Sequence, residues 1–256
     1  MTRAPVDTIA LPPFPPGDAR WINSEPLTIE ALRGRVVLVE FWDFCRVNSL
    51  RTLPYLRAWH ERYAAAGLIV VSVHTPGFRA SANDEAARAA VARLSIEHAV
   101  LLDTDYALWH EYENAGWPGR YLWTAAGLLF DYHYGEGDYA ACEGAICELL
   151  GVDCEPLEPF TPADSPGARF AAPTPDRIEP PFSGPYEAGA AWGVLEPPAA
   201  GGSVSVNGTA LAVEHTGVHL LAEHAVHTRA ELELELGPGV RCDAVCFTAG
   251  LVASSA

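Results

Sequence analysis

Cys45 is the residue whose type and position most clearly suggest chemistry. It follows the apolar stretch "RVVLVEFW" (35–42) and precedes a segment of helical periodicity that starts at about Ser49. A thiol at the start of a helix can be activated, because the helix N-terminus stabilises the thiolate, and Arg46 places a positive charge beside it. The alternatives are that Cys45 is a small buried side chain under Phe44 and that Arg46 is a solvated surface residue.

Glu40 is the second candidate, since it lies within an apolar run that predicts a buried strand. Burial disfavours a charged carboxylate, so we expect the pKa of Glu40 to be raised, and the side chain could relay a proton. The alternative is a hydrogen-bonded structural role. Ser49 is interpreted as a helix N-cap rather than a nucleophile, because no His–Asp pair lies near it in the sequence.

Alternating strands and helices must position these residues. Apolar periodicity predicts the following order: a strand at 35–42, a helix at 49–66 that contains Pro54, a strand at 68–74, a helix at 83–94 with Asn83 as N-cap, a strand at 99–103, a helix at 105–114, a hairpin whose second strand is 128–134, and a helix at 138–150. This order predicts an α/β domain with a central mixed sheet flanked by helices.

The character of the sequence changes after about residue 155, where prolines accumulate and apolar runs become scarce. Such a segment is typical of a linker or an extended strap. Beyond it, short runs such as "SVSVNG" and "RAELELELG" predict strands separated by turns. We therefore predict an α/β domain over 1–152, a proline-rich linker or strap over 153–190 and a small β-sandwich over 191–256.

Composition excludes several classes of function. The chain has 256 residues and a net charge of -17, which makes nucleic acid and anionic membranes unexpected partners. It contains no lysine, so Schiff-base chemistry and phosphate-binding lysine loops are excluded. No secretory signal or membrane-spanning run is recognisable, so we expect a cytoplasmic protein.

In that compartment we expect the six cysteines to be reduced thiols. Their spacing suggests no disulfide. Cys142 and Cys147 lie on different faces of a predicted helix, and Cys242 and Cys246 are too far apart along one predicted strand.

Four histidines crowd one stretch, "HTGVHLLAEHAVH", and invite a metal interpretation. They are His215, His219, His224 and His227. Their spacing spans two predicted strands and a turn, and it matches no metal-binding motif. We therefore expect neither a metal nor a cofactor.

Four stretches of the chain resemble TlpA/DipZ-type thioredoxin-like proteins of the redoxin group. They are "WINSEPLTIEALRGRVVLVEFWDF", "SLRTLPYLRAWHERYAAAGLIVVSVHTPGF", "WPGRYLW" and "HYGEGDY". The likeness covers about residues 20–150 and implies a thioredoxin-like fold. The tail resembles, more weakly, the carbohydrate-binding-module-like β-sandwich of DipZ proteins, which implies that Tyr186 and Trp192 could hold a sugar.

The same resemblance identifies the site. It implies a Cys-x-x-Cys motif before the helix, and the register set by "LRTLP" places those two positions at Arg46 and Ser49. The resemblance also implies that Glu40 is the buried acid and that Pro118 is the cis-proline of a loop that receives substrate backbone. The candidate binding residues are Trp42, Arg46, Ser49, Trp117 and Pro118, and the candidate catalytic residues are Cys45 and Glu40.

Two-thiol exchange requires one thiolate to attack and a second thiol to resolve the mixed disulfide. Arg46 and Ser49 can do neither, so we predict a degenerate, impaired or non-catalytic redoxin. Monothiol chemistry through Cys45 would need an external thiol, and its substrate would be a protein or peptide thiol or disulfide, or a small-molecule oxidant. The further alternatives are a partner-binding or peptide-binding protein and a carbohydrate-binding protein that uses the β domain.

Overall fold

The computed structural model describes residues 2–3 (backbone only), 8–17 and 20–252. The chain forms two compact units. The first comprises Met1–Gly77 and Ala82–Phe160, and the second comprises Phe78–Ser81 and Thr161–Ala256. Among the described residues, no helix combines the length and the apolar character needed to cross a membrane.

The first unit alternates strands and helices as predicted. Its elements are β1 (Thr2–Arg3), β2 (Trp21–Ile22), α1 (Ile29–Leu32), β3 (Val36–Trp42), α2 (Val47–Tyr63), β4 (Leu68–His74), α3 (Asp84–Arg93), β5 (Ala99–Leu102), α4 (Ala107–Glu111), β6 (Gly119–Trp123), β7 (Leu129–Tyr134) and α5 (Tyr139–Leu150).

One mixed sheet forms the centre of this unit, with strand order β1-β7-β6-β3-β4-β5-β2. Strands β3, β4 and β5 are parallel, whereas β6 and β7 are antiparallel to their neighbours. All seven residues of β3 are buried, which explains why its sequence is a continuous apolar run interrupted only by Glu40. The predicted α/β architecture with a central mixed sheet is confirmed.

Local sequence signals also determine several element boundaries. Strand β4 occupies the predicted residues 68–74, and the side chain of Asn83 caps α3 by accepting a hydrogen bond from the N–H of Ala86 at 2.9 Å. Helix α2 differs from the prediction of 49–66, because it begins at Val47 and ends at Tyr63.

The second unit is built from strands. Its elements are β8 (Phe170–Ala171), β9 (Gly184–Glu196), β10 (Gly202–Val206), β11 (Thr209–Val213), β12 (Gly217–Leu232), β13 (Leu234–Leu236), β14 (Arg241–Thr248) and β15 (Gly250–Leu251). Two three-stranded sheets, β11-β10-β13 and β12-β9-β14, accompany a short pair formed by β15 and β8. Side chains from both three-stranded sheets share one apolar core, so the predicted all-β character of the tail is confirmed.

Strand β9 lies at the centre of its sheet, and sequence patterning did not reveal it. Its sequence "GPYEAGAAWGVLE" is rich in glycine and alanine, and it follows directly on the proline-rich stretch. Residue 191, the predicted start of the β domain, therefore lies within this strand.

The two candidate sugar-binding residues both lie on this strand. Tyr186 is only 3% exposed and stacks on Phe247, so it belongs to the core and is not available to hold a sugar. Trp192 is half-buried.

The histidines of the second unit interact separately. The first two of the four stack on each other, His224 shares a 2.9 Å hydrogen bond with the hydroxyl of Tyr186, and His227 lies 3.6 Å from a carboxylate oxygen of Glu187. Within residues 2–3, 8–17 and 20–252, no group of three or more His, Cys, Asp or Glu side chains is arranged to hold a metal ion.

Candidate functional site at the start of helix α2

Asp43 organises the turn between β3 and α2. One carboxylate oxygen accepts the main-chain N–H of Cys45 at 2.8 Å, and the other accepts the N–H of Gly77 at 2.7 Å. Its carbonyl oxygen accepts the N–H of Arg46 at 2.9 Å. Because Asp43 is completely buried, these bonds join the turn firmly to the segment that follows β4.

Cys45 forms no disulfide among the described residues and has no exposed surface. The neighbouring Phe44 is also completely buried and stacks on the ring of His74 at 5.3 Å. A thiolate must reach its substrate to react, so this conformation gives Cys45 no access to one. The sequence placed Cys45 at the start of the helix, and the structure places it two residues before the first helical residue, Val47.

Ser49 is not the N-cap of α2, which corrects the sequence interpretation. The N-cap is Arg46, whose side chain makes no capping hydrogen bond. Ser49 lies in the first turn of the helix, is 1% exposed, and accepts the main-chain N–H of Asp43 at 3.2 Å through its hydroxyl oxygen. The hydroxyl therefore stabilises the turn from inside the helix.

Arg46 and Trp117 meet at the mouth of the turn. The Cζ atom of Arg46 lies 4.8 Å from the centroid of the Trp117 ring, within the range of a cation–π interaction, and Nη2 of Arg46 lies 3.4 Å from the carbonyl oxygen of Gly77. Arg46 is thus half-buried against its neighbours rather than a solvated surface residue. The indole N–H of Trp117 donates to the carbonyl of Thr75 at 2.8 Å.

The Trp117–Pro118 peptide bond is cis, in agreement with the sequence prediction. Trp117 is half-buried, whereas Pro118 is buried. The structure thereby brings Arg46, Trp117 and Pro118 to one loop region beside the turn. Trp42 is different, because it is 1% exposed and contributes to packing rather than to an exposed binding surface.

Glu40 lies on β3 between two buried polar side chains. It is 1% exposed, it pairs with Arg120 of β6 in the sheet register, and one of its oxygens accepts a long hydrogen bond of 3.5 Å from the hydroxyl of Ser72. Burial raises the pKa of Glu40 to about 8, although the charge of Arg120 and the Ser72 hydroxyl act in the opposite direction. The predicted direction of this pKa shift is confirmed.

A chain of polar groups continues from Glu40 towards the surface. Nε2 of His98 lies 2.8 Å from the hydroxyl of Ser72, and the ring of His98 lies 5.7 Å from that of His60. Both rings line a cavity of about 640 Å³ in the first unit. Burial lowers the pKa of His98 to about 3, so its imidazole is neutral and can donate through Nε2 to Ser72, which donates to Glu40.

Comparison with known proteins identifies the first unit. Over 143 residues, which are 55% of this chain and 20% of the relative, the chain is 35% identical to Protein DipZ of Mycobacterium bovis. It is 34% identical over 132 residues to NHL repeat-containing protein 2 of Bos taurus, covering 50% of this chain and 18% of that protein. A solution structure of a thioredoxin-like protein in its oxidised form superposes with a TM-score of 0.50 and 24% identity, covering 56% of this chain and 95% of that one.

The first unit is a thioredoxin-like domain homologous to part of DipZ. The chain spans about a fifth of the length of the DipZ proteins that it matches. No protein-family profile matches the chain. The 143 aligned residues are close in number to the length of the thioredoxin-like unit. The resemblance of the β unit to the DipZ tail therefore stays a prediction.

Several residues that shape the thioredoxin-like unit were missed by the sequence reasoning. They are Asp43, Ser72, His98 and Arg120, all 1% exposed or less. Asp43 and Arg120 carried a usable signal, because each is a charged residue inside an aromatic-rich buried stretch, "FWDF" and "GRYLW". Ser72 and His98 carried none, since their contact joins a residue of β4 to the residue just before β5, 26 positions further along the sequence.

Proposed function

We propose that this chain is a thioredoxin-like protein, related to thiol–disulfide oxidoreductases, whose turn before α2 performs no two-thiol exchange and whose Trp117–Pro118 loop binds an extended segment of a partner protein. One observation carries the proposal. The turn holds a single cysteine, Cys45, which is completely buried, and the adjacent Arg46 packs over Trp117. The loss of the two-cysteine site is therefore a loss of chemistry in a retained scaffold.

The chemistry of exchange supports the first half of the proposal. An attacking thiolate must be accessible and a second thiol must lie close enough to resolve the mixed disulfide. Cys45 has no exposed surface, and position 49 carries a hydroxyl that is already bonded to the main chain of Asp43. Monothiol chemistry at Cys45 would require the turn to open, against the hydrogen bonds that Asp43 makes to Cys45 and Gly77.

The main chain of Trp117 supports the second half. Among the described residues, neither its N–H nor its C=O has a hydrogen-bond partner. Unpaired main-chain groups beside a sheet can accept an extended segment, which supplies affinity through main-chain hydrogen bonds. The guanidinium of Arg46, 4.8 Å from the Trp117 ring, would add a donor for a carbonyl or carboxylate of the bound segment.

Insulin reduction with dithiothreitol tests the first half. The wild type is compared with the double variant Arg46→Cys, Ser49→Cys and with Cys45→Ala. We expect the wild type and Cys45→Ala to match dithiothreitol alone, and the double variant to accelerate reduction. If the wild type accelerated reduction as much as the double variant does, and Cys45→Ala abolished this acceleration, the result would contradict the proposal. It would support monothiol chemistry at Cys45 instead. A Cys154→Ala control separates any contribution from that exposed thiol.

Selection of displayed random peptides against the wild type tests the second half. Arg46→Ala removes a charged contact and Trp117→Ala removes an aromatic ring. Each variant should bind the selected peptides about tenfold more weakly than the wild type, which corresponds to about 1.4 kcal/mol. Arg57→Ala, which alters the cavity lined by His60 and His98, is the matched control and should leave binding unchanged. Peptides that bind Arg46→Ala and Trp117→Ala as tightly as the wild type would contradict the proposed loop.

A further inference from the structure

The end of helix α5 reverses the chain towards its own last turns. Gly151 follows the helix in the left-handed conformation, with φ of 65°, which a glycine adopts without strain. The N–H of Val152 then donates to the carbonyl of Cys147 at 3.2 Å. A helix that ends in this way directs the following residues back along its own surface.

Two polar contacts fix the returning segment against the helix. The N–H of Leu157 donates to Oε2 of Glu143 at 2.7 Å, and Nη1 of Arg62 donates both to Oε1 of Glu143 at 2.9 Å and to the carbonyl of Glu155 at 2.6 Å. Glu143 is 1% exposed, so it forms a buried anchor. Because residue 157 lies beside residue 143, the antiparallel course of the segment brings residue 154 beside residue 147.

Cys147 and Cys154 are the residues at these two positions. Cys147 is 2% exposed, and its sulfur lies 3.5 Å from the hydroxyl of Tyr63. Cys154 is exposed and lies between two contacts that hold its segment to this end of α5: the N–H of Val152 donates to the carbonyl of Cys147 at 3.2 Å, and the carbonyl of Glu155 accepts Arg62 at 2.6 Å. Partial desolvation and the neighbouring thiol raise the pKa of Cys154 to about 12. The accessible thiol can attack an external disulfide, and the shielded thiol, held at the same end of α5, can then resolve the mixed disulfide.

We propose that Cys147 and Cys154 form a reversible disulfide and constitute a dithiol site distinct from the turn before α2, with low-molecular-weight disulfides as the oxidant. The Cys154 thiolate attacks one sulfur of the small disulfide, whose S–S bond breaks as a mixed disulfide forms. Cys147 then attacks the sulfur of Cys154 and displaces the second small thiol. Two electrons pass to the small disulfide, and the two protons of the protein thiols end on the two small thiols released.

This site does not depend on the function proposed for the Trp117–Pro118 loop. The sequence spacing gave no sign of it, because residues 147 and 154 belong to a helix and to the segment predicted as linker. Their proximity depends on the reversal at Gly151 and on the anchor at Glu143. The raised pKa of Cys154 predicts slow exchange at neutral pH, with a rate that rises about tenfold for each unit of pH.

Peptide mapping of the full chain tests the proposal. The reduced protein is incubated with oxidised glutathione, its remaining thiols are alkylated, and it is cleaved after glutamate. Cleavage after Glu136, Glu143, Glu148 and Glu155 separates the three neighbouring cysteines, so that Cys142, Cys147 and Cys154 fall in different peptides. We expect peptides 144–148 and 149–155 to be recovered as one linked species lacking two hydrogens.

Two variants complete the test. Cys154→Ala changes an exposed side chain, so it should fold and should lose the linked species entirely. Cys242→Ala, in the β unit, should keep the wild-type yield. Recovery of Cys154 only as a mixed disulfide with glutathione or in its alkylated form, with Cys147 alkylated in both cases, would overturn the proposal. Linkage of Cys154 to any cysteine other than Cys147 would overturn it equally.

Discussion

Glu40 is a carboxylic acid that the fold removes from water and supplies with few partners. Among the described residues, one of its oxygens has no hydrogen-bond partner and the other has only the 3.5 Å contact with Ser72. Its pKa of about 8 means that the protonated form is favoured over much of the neutral range. A neutral acid linked through Ser72 to the neutral imidazole of His98 forms a polar path in which a proton can be held without net charge.

The raised pKa of Glu40 predicts a specific pH dependence of stability. The unfolded chain releases this proton near pH 4.5, whereas the folded chain keeps it up to about pH 8. The stability contributed by Glu40 is therefore present below pH 4.5 and is lost as the pH rises through about 8. Relative to Glu40→Gln, the wild type should lose on the order of 5 kcal/mol over this window, measured by urea unfolding.

The exposed carboxylate variant Glu111→Gln provides the matched control for this measurement. A wild type that becomes more stable relative to Glu40→Gln as the pH rises would show that Glu40 is ionised and paired in the folded state. In that case the attraction of Arg120 would outweigh burial.

Asp43→Asn tests the turn at the level of one side chain. An asparagine offers one acceptor oxygen where two main-chain N–H groups, of Cys45 and Gly77, need acceptors. The variant should therefore lose about 1–3 kcal/mol in free energy of unfolding, measured by urea denaturation. Asp105→Asn removes an exposed pair with Arg20 and should change stability by less than about 1 kcal/mol. Equal effects of the two variants would contradict the role given to Asp43.

At the scale of elements, the entry into β6 is closely packed. A side chain at Gly119 would bring its Cβ into collision with Oδ1 of Asn114 and place it 3.2 Å from the carbonyl oxygen of Gly116. Asn114 is already engaged, because the same Oδ1 accepts the hydroxyl of Tyr121 at 2.8 Å and its Nδ2 donates to Gly116 at 3.0 Å. The cis-proline loop is therefore held by an asparagine that leaves no space for a larger residue at 119.

Two glycine-to-alanine variants compare this loop with helix α5. Gly119→Ala should destabilise the protein by about 2 kcal/mol or more, because the Asn114 network must move. Gly144→Ala should stabilise it by about 1 kcal/mol, since Gly144 lies inside α5 with nothing within 4 Å of the added Cβ. Thermal or urea unfolding measures both. A Gly119→Ala variant as stable as the wild type would show that the loop adapts.

The elements also show how far the sequence could predict this fold. Strands β3 and β4 were predictable because a buried parallel strand needs a continuous apolar run, and Asn83 announced the start of α3. Strand β9 was not, because its buried positions are filled largely by alanine and glycine. The prediction of Ser49 as the N-cap was wrong for a different reason. A serine hydroxyl in the first turn of a helix can accept a hydrogen bond from the preceding turn, as Ser49 does from the N–H of Asp43, instead of capping the helix.

The contacts that define the sites could not be predicted, because each joins residues that are distant in the chain or separated by a reversal. Asp43 and Gly77 are 34 residues apart, and Arg46 contacts the ring of Trp117, which lies far along the chain. Pattern reasoning identifies buried charges as important residues, but it does not pair them. It found the buried acid at 40, and the family resemblance supplied the loop at 118, but neither revealed that Glu143 anchors the segment that follows α5.

The whole molecule combines a thioredoxin-like unit with a unit made of strands around a separate core. In the first unit, the turn between β3 and α2 contains one cysteine, Cys45, and encloses its thiol. Its six cysteines, all within the described residues, form no disulfide and differ widely in exposure. Cys45 and Cys142 are completely buried, whereas Cys154 is exposed. We therefore expect any redox chemistry of the molecule to occur at its exposed thiol, Cys154, rather than at the turn before α2.

The rate of alkylation of Cys45 in the native protein tests the central claim most directly. Iodoacetamide is added to the native chain and to the chain unfolded in urea, and modification of Cys45 is followed by peptide mass. Because the thiol is enclosed, we predict that it reacts at least about a hundredfold more slowly in the native chain. A native rate equal to or above that of the unfolded chain would show an accessible, activated thiol at the start of α2 and would contradict the account.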